Sequence, residues 1–180
     1  MREITLYIAV SLDGFIADRD GGVSWLDRWQ ADEERYAEFI RGIDTVVMGW
    51  NTYFQVTQEL SPGCWPYAGL KTYVCTNRPL PPEEGVEFTS RGVCSLVREL
   101  ARGAGKGVWV CGGADTAQQL IRAGLIGRYW LTVLPVILGG GVRLFGDLAE
   151  SVPLRLVSAE KRGDLAELIL ERAPEGGSGQ

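Results

Sequence analysis

A short apolar strand that ends in two glycines and leads into a helix most constrains the fold of this chain. Residues 107–111 read Gly-Val-Trp-Val-Cys, a run too short for a helix and typical of a buried strand. Gly112 and Gly113 end that strand. Asp115 or Thr116 is predicted to cap the helix that follows, because apolar residues recur behind them at helical spacing.

The same unit predicts a binding site for phosphate groups. Backbone N–H groups and the positive end of a helix dipole meet at Gly112 and Gly113, and the missing side chains let a ligand come close. The alternative is that these glycines only form a tight turn between strand and helix. This stretch alone leaves both interpretations open.

The length and composition favour one domain. A chain of 180 residues that is 46% apolar can bury one sizeable core, and no linker-like stretch divides it. We predict a single domain over residues 1–173 and a disordered tail over residues 174–180.

Charge and hydropathy limit the partners. The net charge of -5 disfavours a surface that follows nucleic-acid phosphates. The chain starts directly with a strand-like run, and no stretch approaches the length of a membrane span. We therefore expect a cytoplasmic protein with a small-molecule partner and no nucleic-acid or membrane partner.

The residues available for catalysis point towards a cofactor. The chain has no histidine, and its four cysteines show no Cys-x-x-Cys spacing, which argues against a zinc site and removes histidine-dependent nucleophiles. Cys75 and Cys111 end strand-like runs and are predicted to be reduced core thiols. Chemistry must then come from carboxylates, hydroxyls, Tyr or Lys, or from a borrowed cofactor.

Further strands and helices alternate along the chain and predict an α/β sandwich. Strands are predicted at 4–10, 45–48, 71–75, 86–88 and 108–111, a strand broken at Pro135 at 129–138, helices at 32–43 and 95–101, and a terminal hairpin at 154–159 and 165–171. This order favours a mostly parallel central sheet with helices on both faces and an antiparallel C-terminal hairpin.

Four turns are predicted to meet at one edge of that sheet. Ligands of parallel α/β sheets bind beyond the C-terminal ends of the strands. The turns at 11–14, 49–52, 76–78 and 112–116 all follow strands, and each is polar or rich in glycine. Their convergence predicts a ligand site more strongly than any one of them.

The order of these motifs resembles the dihydrofolate reductase-like superfamily, especially the reductase domain of the riboflavin-biosynthesis deaminase/reductase and its stand-alone bacterial relatives. The resemblance spans residues 4–145 and rests on the following words: Ile-Ala-Val-Ser-Leu-Asp-Gly-Phe-Ile-Ala, Gly-Gly-Val-Ser-Trp-Leu, Asp-Thr-Val-Val-Met-Gly-x-x-Thr-Tyr, Val-x-Thr-Asn-Arg, Val-Cys-Gly-Gly-Ala and Leu-Pro-Val-Ile-Leu-Gly-Gly-Gly-x-x-Leu-Phe. It implies a three-layer sandwich and NADPH-dependent reduction of a small heterocycle or a ribosylaminopyrimidine.

The resemblance implies a cofactor site assembled from three of the turns. The residues it assigns to the pyrophosphate side are Gly49, Thr52, Gly112, Gly113, Ala114, Asp115 and Thr116, and those it assigns to the adenosine 2′-phosphate are Thr76, Asn77 and Arg78. A guanidinium beside a hydroxyl and an amide suits a dianion. The alternative for Arg78 is a solvated loop arginine. The resemblance also implies a cis peptide between Gly112 and Gly113.

The substrate side is implied at two residues. Asp13 matches an aspartate near the substrate of riboflavin-type reductases, where a carboxylate could hold a pyrimidine amide or assist proton transfer. Its alternative is an ordinary Asp-Gly turn. Trp25 either walls the substrate site or fills the core. The acidic turn 32–34 lies near the pterin-binding carboxylate of the folate enzymes, with no single residue assigned.

The chain also departs from the family pattern. Trp50 stands where the family usually has an arginine, Lys71 replaces an arginine that holds the folate tail, and Gly127-Arg128 replaces an acidic pair. The main prediction is a riboflavin-type NADPH-dependent reductase. Dihydrofolate reductase and a non-catalytic nucleotide-binding protein are the alternatives. The apolar C-terminal strands, and similar riboflavin reductases, further predict a homodimer.

Overall fold

The strand that ends at Gly112 lies inside an eight-stranded sheet, between the first strand and the strand near Thr45. The computed structural model describes residues 1–30 and 32–174. The predicted tail at 174–180 therefore lies outside the described residues, apart from Pro174. The strands are β1 (Ile4–Ser11), β2 (Phe15–Ala17), β3 (Ile43–Gly49), β4 (Lys71–Cys75), β5 (Val86–Thr89), β6 (Gly107–Gly112), β7 (Arg128–Leu134), β8 (Val142–Arg143), β9 (Leu154–Arg162) and β10 (Leu165–Arg172).

The sheet is parallel except at its C-terminal end. Its strand order is β5-β4-β3-β6-β1-β7-β10-β9, in which the first six strands run parallel to one another. Strand β10 pairs antiparallel with both β7 and β9. The predicted mostly parallel sheet with an antiparallel C-terminal hairpin is thus confirmed. Strands β2 and β8 form a separate two-stranded ribbon.

Helices cover both faces of the sheet and give three layers. The α-helices are α1 (Glu33–Arg41), α2 (Trp50–Gln55), α3 (Val93–Arg102) and α4 (Ala114–Arg122). Leu96 of α3 and Leu120 of α4 pack with Leu6 and Val110 in one core, because their apolar residues recur at helical spacing. Phe39 of α1 packs on the opposite face in a second, more aromatic core.

The start of α4 differs from its prediction. Gly113, rather than Asp115 or Thr116, is the N-cap, and no side chain caps the helix. The extended backbone of Gly113 (φ -73°, ψ -165°) lets helical geometry begin at Ala114. Asp115 then lies inside the first turn, where it accepts a hydrogen bond from the Gln119 side chain at 2.7 Å.

Two other local predictions agree with the structure. Strand β7 ends at Leu134, immediately before Pro135, because a proline has no N–H group to extend the ladder. The Gly112–Gly113 peptide bond is cis, as the resemblance implies.

Candidate active site

Three helices begin at one cleft at the C-terminal ends of the parallel strands. Their N-caps are Gly49 for α2, Gly92 for α3 and Gly113 for α4, and none of the three helices has a side-chain cap. The first N–H groups of each helix are therefore left for other partners. The cleft has a volume of about 920 Å³, and all three glycines line it. This arrangement suits a ligand with several phosphate groups.

Most of the predicted cofactor residues lie together in this cleft. Eight of the ten residues line it: Gly49, Thr52, Thr76, Asn77, Gly113, Ala114, Asp115 and Thr116. The other two, Gly112 and Arg78, are outside its lining. The structure thus brings together three of the four turns, at 49–52, 76–78 and 112–116. The prediction is wrong for the turn at 11–14, which does not line the cleft. The contact of the three turns with a cofactor remains a prediction.

The glycines allow close approach of backbone segments around the cleft. A Cβ atom at Gly49 would lie 2.9 Å from Thr116 Oγ1, and one at Gly113 would lie 3.3 Å from Thr52 Oγ1. Gly112 has a φ of +131°, which side chains disfavour. Side chains at these positions would push into the threonines that line the cleft.

The cations of the cleft are not those predicted from the sequence. Arg91 and Arg143 line the cleft, whereas the Arg78 guanidinium carbon lies 4.8 Å from the centroid of the Trp50 ring. Trp50, which stands at the usual arginine position, is thus stacked against another arginine. Sequence reasoning missed Arg91. A usable signal was its position directly before Gly92, shortly ahead of the helix predicted at 95–101.

Asp13 holds two loops together. Its Oδ1 accepts hydrogen bonds from Ser11 Oγ at 2.7 Å and from the Leu138 N–H at 3.1 Å, and its Oδ2 accepts one from the Gly139 N–H at 2.8 Å. Slight burial raises the pKa of this carboxyl, but the hydrogen bonds outweigh it and the pKa is lowered. Asp13 lies outside the lining of the cleft, and its catalytic role stays a prediction.

A second, smaller pocket of about 430 Å³ lies on the α1 side of the sheet. The predicted substrate residue Trp25 does not line it, whereas its neighbours Leu26 and Trp29 do. Trp25 belongs to a 3-10 turn at Ser24–Arg28, and its ring N–H is buried without a hydrogen-bond partner. Of the acidic turn at 32–34, Asp32 lines the pocket, and its side chain caps α1 by accepting from the Arg35 N–H at 2.9 Å.

A buried ion pair joins α1 to the C-terminal hairpin beside this pocket. Arg35 Nε donates to Glu167 Oε1 at 2.8 Å, and Arg35 Nη2 donates to the same oxygen. Arg35 Nη1 bonds Glu38 at 2.6 Å, and the guanidinium carbon lies 4.6 Å from the Trp130 ring centroid. Arg35 and Glu167 are only 9% and 3% exposed, so their charges depend on one another.

Sequence reasoning missed this pair because its members lie far apart in the chain. Arg35 belongs to an amphipathic helix and Glu167 to a hairpin strand, and no motif connects them. One usable signal was that Glu167 falls between Leu165 and Ile169 on one face of the strand, where the neighbours are apolar.

The aromatic part of the small pocket's wall, apart from the Arg35–Glu167 pair, is uncharged at neutral pH. The Tyr67 hydroxyl lies 3.5 Å from Cys111 Sγ, and the Tyr67 ring meets Trp109 edge to face at 5.1 Å. Burial raises the pKa of Cys111 to about 11, and burial together with the Glu167 charge raises the pKa of Tyr7 to about 12. Burial also raises the pKa of Tyr36. These thiol and phenol groups therefore stay protonated.

The two cavities are adjacent at the end of β6. Cys111 lines the small pocket, Gly113 lines the cleft, and Gly112 lies between them. Ile8, which lines the small pocket, would be 3.6 Å from a Cβ atom at Gly112. A long ligand in the cleft can thus meet a small ligand in the pocket across one glycine.

Residues 2–166 match the model of the RibD C-terminal domain. The chain belongs to the RibD C-terminal domain family. The resemblance to this family, which the sequence motifs indicate, is thereby confirmed. Two similar proteins are from Bacillus subtilis strain 168. The uncharacterized protein YwjB is 36% identical over 174 residues, which is 96% of this chain and 99% of YwjB, and the uncharacterized protein YyaP is 28% identical over 166 residues, or 87% of each chain.

Solved structures agree with this family and with its fold. A putative riboflavin biosynthesis protein from Shewanella sp. PV-4 superposes with a TM-score of 0.81 at 29% identity, over 97% of this chain and 100% of that one. The deaminase/5-amino-6-(5-phosphoribosylamino)uracil reductase of Thermotoga maritima gives 0.69 at 18% identity, over 96% of this chain and 57% of the other.

The fold is also that of dihydrofolate reductases. The Enterococcus faecalis dihydrofolate reductase, in complex with NADP(H) and RAB-propyl, gives a TM-score of 0.67 at 18% identity, over 96% of this chain and 97% of that one. The predicted dihydrofolate reductase-like sandwich is therefore confirmed. The two neighbours that are named as reductases are 18% identical to this chain, and they show its fold.

Two further observations concern the rest of the RibD C-terminal domain. Arg128 of β7 bonds Glu3, which directly precedes β1, at 2.9 Å and Glu171 of β10 at 2.7 Å. This arginine thus links β7 to β10 and to the start of β1. In the described part of the chain, no helix combines the length and apolar character that crossing a bilayer requires.

Proposed function

We propose that this protein is an NADPH-dependent reductase of a small, flat heterocycle, of the riboflavin-reductase type. The observation that carries the proposal is the adjacency of the two cavities: the cleft with three uncapped helix starts meets a small aromatic pocket at Gly112. A volume of about 920 Å³ suits a dinucleotide, and about 430 Å³ suits a single or fused ring.

The residues of the cleft fit a dinucleotide phosphate. The uncapped N–H groups behind Gly49 and Gly113 can bind the pyrophosphate, with the Thr52 and Thr116 hydroxyls beside them. Arg91 bonds Glu99 in an exposed pair, and it can exchange that carboxylate for a 2′-phosphate, a charge that NADH lacks. When bound, NADPH supplies a hydride, and the protein supplies position, dryness and a proton.

The small pocket supplies the remaining requirements for reduction. Aromatic walls such as Trp109 exclude water and hold a ring flat, and the neutral hydroxyls of Tyr7 and Tyr67 can donate hydrogen bonds without adding charge. Asp32 lines the pocket but is exposed, so its carboxylate can pass a proton from solvent. The family resemblance assigns proton transfer to Asp13 instead, but Asp13 lines neither cavity and both of its oxygens already accept hydrogen bonds.

The direct test is NADPH oxidation with a panel of aminopyrimidines and dihydropterins, together with NADPH titration. Binding of NADPH and oxidation with at least one panel member is the expected result. Binding without oxidation across the panel would favour a non-catalytic nucleotide-binding protein. A chain that binds no NADPH at millimolar concentration would rule out both.

Dihydrofolate reduction is the second candidate, because the α1 carboxylate of Asp32 lines the small pocket. Lys71, which replaces the arginine for the folate tail, lies 3.6 Å from Glu87 and over the Tyr73 ring, so it is already engaged. Oxidation of NADPH with dihydrofolate, blocked by methotrexate, would support this candidate over the first.

We also propose that the protein is a homodimer. The outermost strand β9 carries three exposed apolar residues, Leu154, Leu156 and Val157, and exposed apolar edge strands are normally covered. Light scattering at micromolar concentration should give twice the chain mass, and Leu156→Lys should shift it towards one chain mass. A single chain mass for the unchanged protein would overturn the dimer.

A further inference from the structure

The charges around the small pocket are unevenly distributed. Two arginines and two carboxylates line it, and each arginine bonds a further carboxylate outside the lining. The arginines are Arg35 and Arg162, and the carboxylates are Asp32, Glu38, Glu160 and Glu167. These two arginines and four carboxylates together carry a net charge of -2. The surroundings of the pocket therefore repel an anion.

Both arginines of the lining are already paired. Arg35 uses all three of its guanidinium nitrogens on Glu38 and Glu167. Arg162 Nη1 lies 3.9 Å from Asp32 Oδ2 and Arg162 Nη2 lies 3.2 Å from Glu160 Oε2, whereas Arg162 Nε is buried without a hydrogen-bond partner among the described residues and is closed to a ligand by its burial. A phosphate would have to displace these carboxylates. Arg28 is outside the lining, with its guanidinium carbon 5.6 Å from the Trp29 ring centroid.

Glu167 offers an acceptor at the wall of the pocket. Its Oε1 accepts both bonds from Arg35, and within residues 1–30 and 32–174 its Oε2 accepts no hydrogen bond. Glu167 lines the pocket and is 3% exposed. A carboxylate oxygen held in this way suits an N–H group of a ligand, because a charged acceptor forms a stronger hydrogen bond than a neutral one.

The walls of the pocket are flat. Trp29, Tyr36, Tyr67 and Trp109 line its volume of about 430 Å³, and their ring faces suit a planar ligand. We infer that the substrate is an unphosphorylated aminopyrimidine or fused aminopyrimidine, whose ring N–H or amino group is received by Glu167. This inference deepens the proposed function and rests on its assignment of the small pocket to the substrate.

The experiment compares two ligands that differ only in a phosphate. Dissociation constants are measured by tryptophan fluorescence for 5-amino-6-(5-phosphoribosylamino)uracil and for the same compound without its phosphate, in the presence of NADPH. The unphosphorylated compound should bind at least about tenfold more tightly. Equal or tighter binding of the phosphorylated compound, or binding of neither at millimolar concentration, would overturn the inference.

Charge variants show whether the named carboxylates cause that preference. Glu160→Lys should reduce the ratio of the two dissociation constants at least about threefold, because it turns a repelling charge into an attracting one. Glu84→Lys makes the same charge change beside β5, at the opposite edge of the sheet, and should leave the ratio unchanged. If Arg28→Ala weakens the phosphorylated compound alone, then Arg28 holds the phosphate and the inference fails.

The role of Glu167 is tested with its isosteric variant. Glu167→Gln keeps a carbonyl oxygen for Arg35 but replaces the free acceptor with a donor, so both ligands should lose at least about tenfold in affinity. Thermal unfolding checks that the variant is folded. Unchanged affinities in a folded variant would remove Glu167 from the inference.

These outcomes are distinct from failure of the proposed function. NADPH titration and NADPH oxidation, which do not depend on the phosphate comparison, test the reductase. A protein that oxidises NADPH best with the phosphorylated compound would keep the proposed function and lose this inference. A protein that binds the unphosphorylated compound tightly but never oxidises NADPH would keep this inference and lose the proposed function.

Discussion

The cleft and the small pocket are adjacent, but they satisfy their polar groups in opposite ways. In the cleft, the helix starts at Gly49, Gly92 and Gly113 have no side-chain caps, so donors are left for a ligand. In the small pocket, the buried charges of Arg35 and Glu167 are paired with each other. The contrast teaches that removing a cleft residue should mainly affect binding, whereas leaving one member of the buried pair without its partner should also lower stability.

The largest effect is expected on breaking the buried pair. Arg35→Met leaves Glu167 without its partner, and loss of one member of a buried ion pair costs about 3–5 kcal/mol of unfolding free energy. Urea unfolding measures this loss. The double variant Arg35→Met with Glu167→Leu should recover most of this loss, because no buried charge is left without a partner. Equal stability of the single and double variants would show that the pairing is not what stabilises this contact.

The second prediction tests the other half of the contrast. Gly113→Val should weaken NADPH and NADH together, about 100-fold or 2.7 kcal/mol, because a side chain would crowd Thr52 and fill the space for the pyrophosphate. Gly113→Ala, with only a Cβ atom 3.3 Å from Thr52 Oγ1, should have a smaller effect in the same direction. Fluorescence titration supplies the affinities. Unchanged binding in Gly113→Val would contradict the assignment of the cleft.

The third prediction concerns the arginines at the edge of the cleft. Arg91 lines the cleft and Arg78 stacks on Trp50, so Arg91→Ala should weaken NADPH about tenfold and NADH hardly at all, since only NADPH carries the 2′-phosphate. The sequence predicts the same result for Arg78→Ala. Titration of both variants with both nucleotides decides between the two residues. If a variant lost equal affinity for NADPH and NADH, the arginine that it removes would not be the residue that pairs with the 2′-phosphate.

The sequence predicts the cleft better than it predicts the small pocket, and the reason is physical. Turns after parallel strands must meet at one edge of the sheet, so the amino-acid sequence alone groups Thr52, Thr76 and Gly113. The helix α4 starts earlier than predicted, because a glycine with extended backbone can begin a helix without a polar cap. The Arg35–Glu167 pair spans 132 residues, and only the fold brings its members together.

The smallest effect is expected on replacing Asp13, which contacts the loop after β7. This substitution tests whether the hydrogen bonds of Asp13 stabilise that loop as much as the buried ion pair stabilises the small pocket. The folded pKa of Asp13 is lowered, so its contribution to stability is present above the unfolded pKa of about 4 and is lost as pH falls through the folded pKa. Asp13→Asn places an amide donor against the N–H groups of Leu138 and Gly139. The variant should therefore be less stable than the unchanged protein at pH 7, and the difference should shrink at pH 3.

The same variant separates holding the loop from catalysis. If Asp13 only fixes the loop at Leu138 and Gly139, kcat/KM should fall less than about tenfold, and the loss should follow the loss of stability. General acid or base catalysis is worth about 100-fold or more. A fall of that size in kcat, with the NADPH affinity unchanged, would show that the carboxylate takes part in proton transfer. Because both Asp13 oxygens already accept hydrogen bonds, we expect the smaller effect.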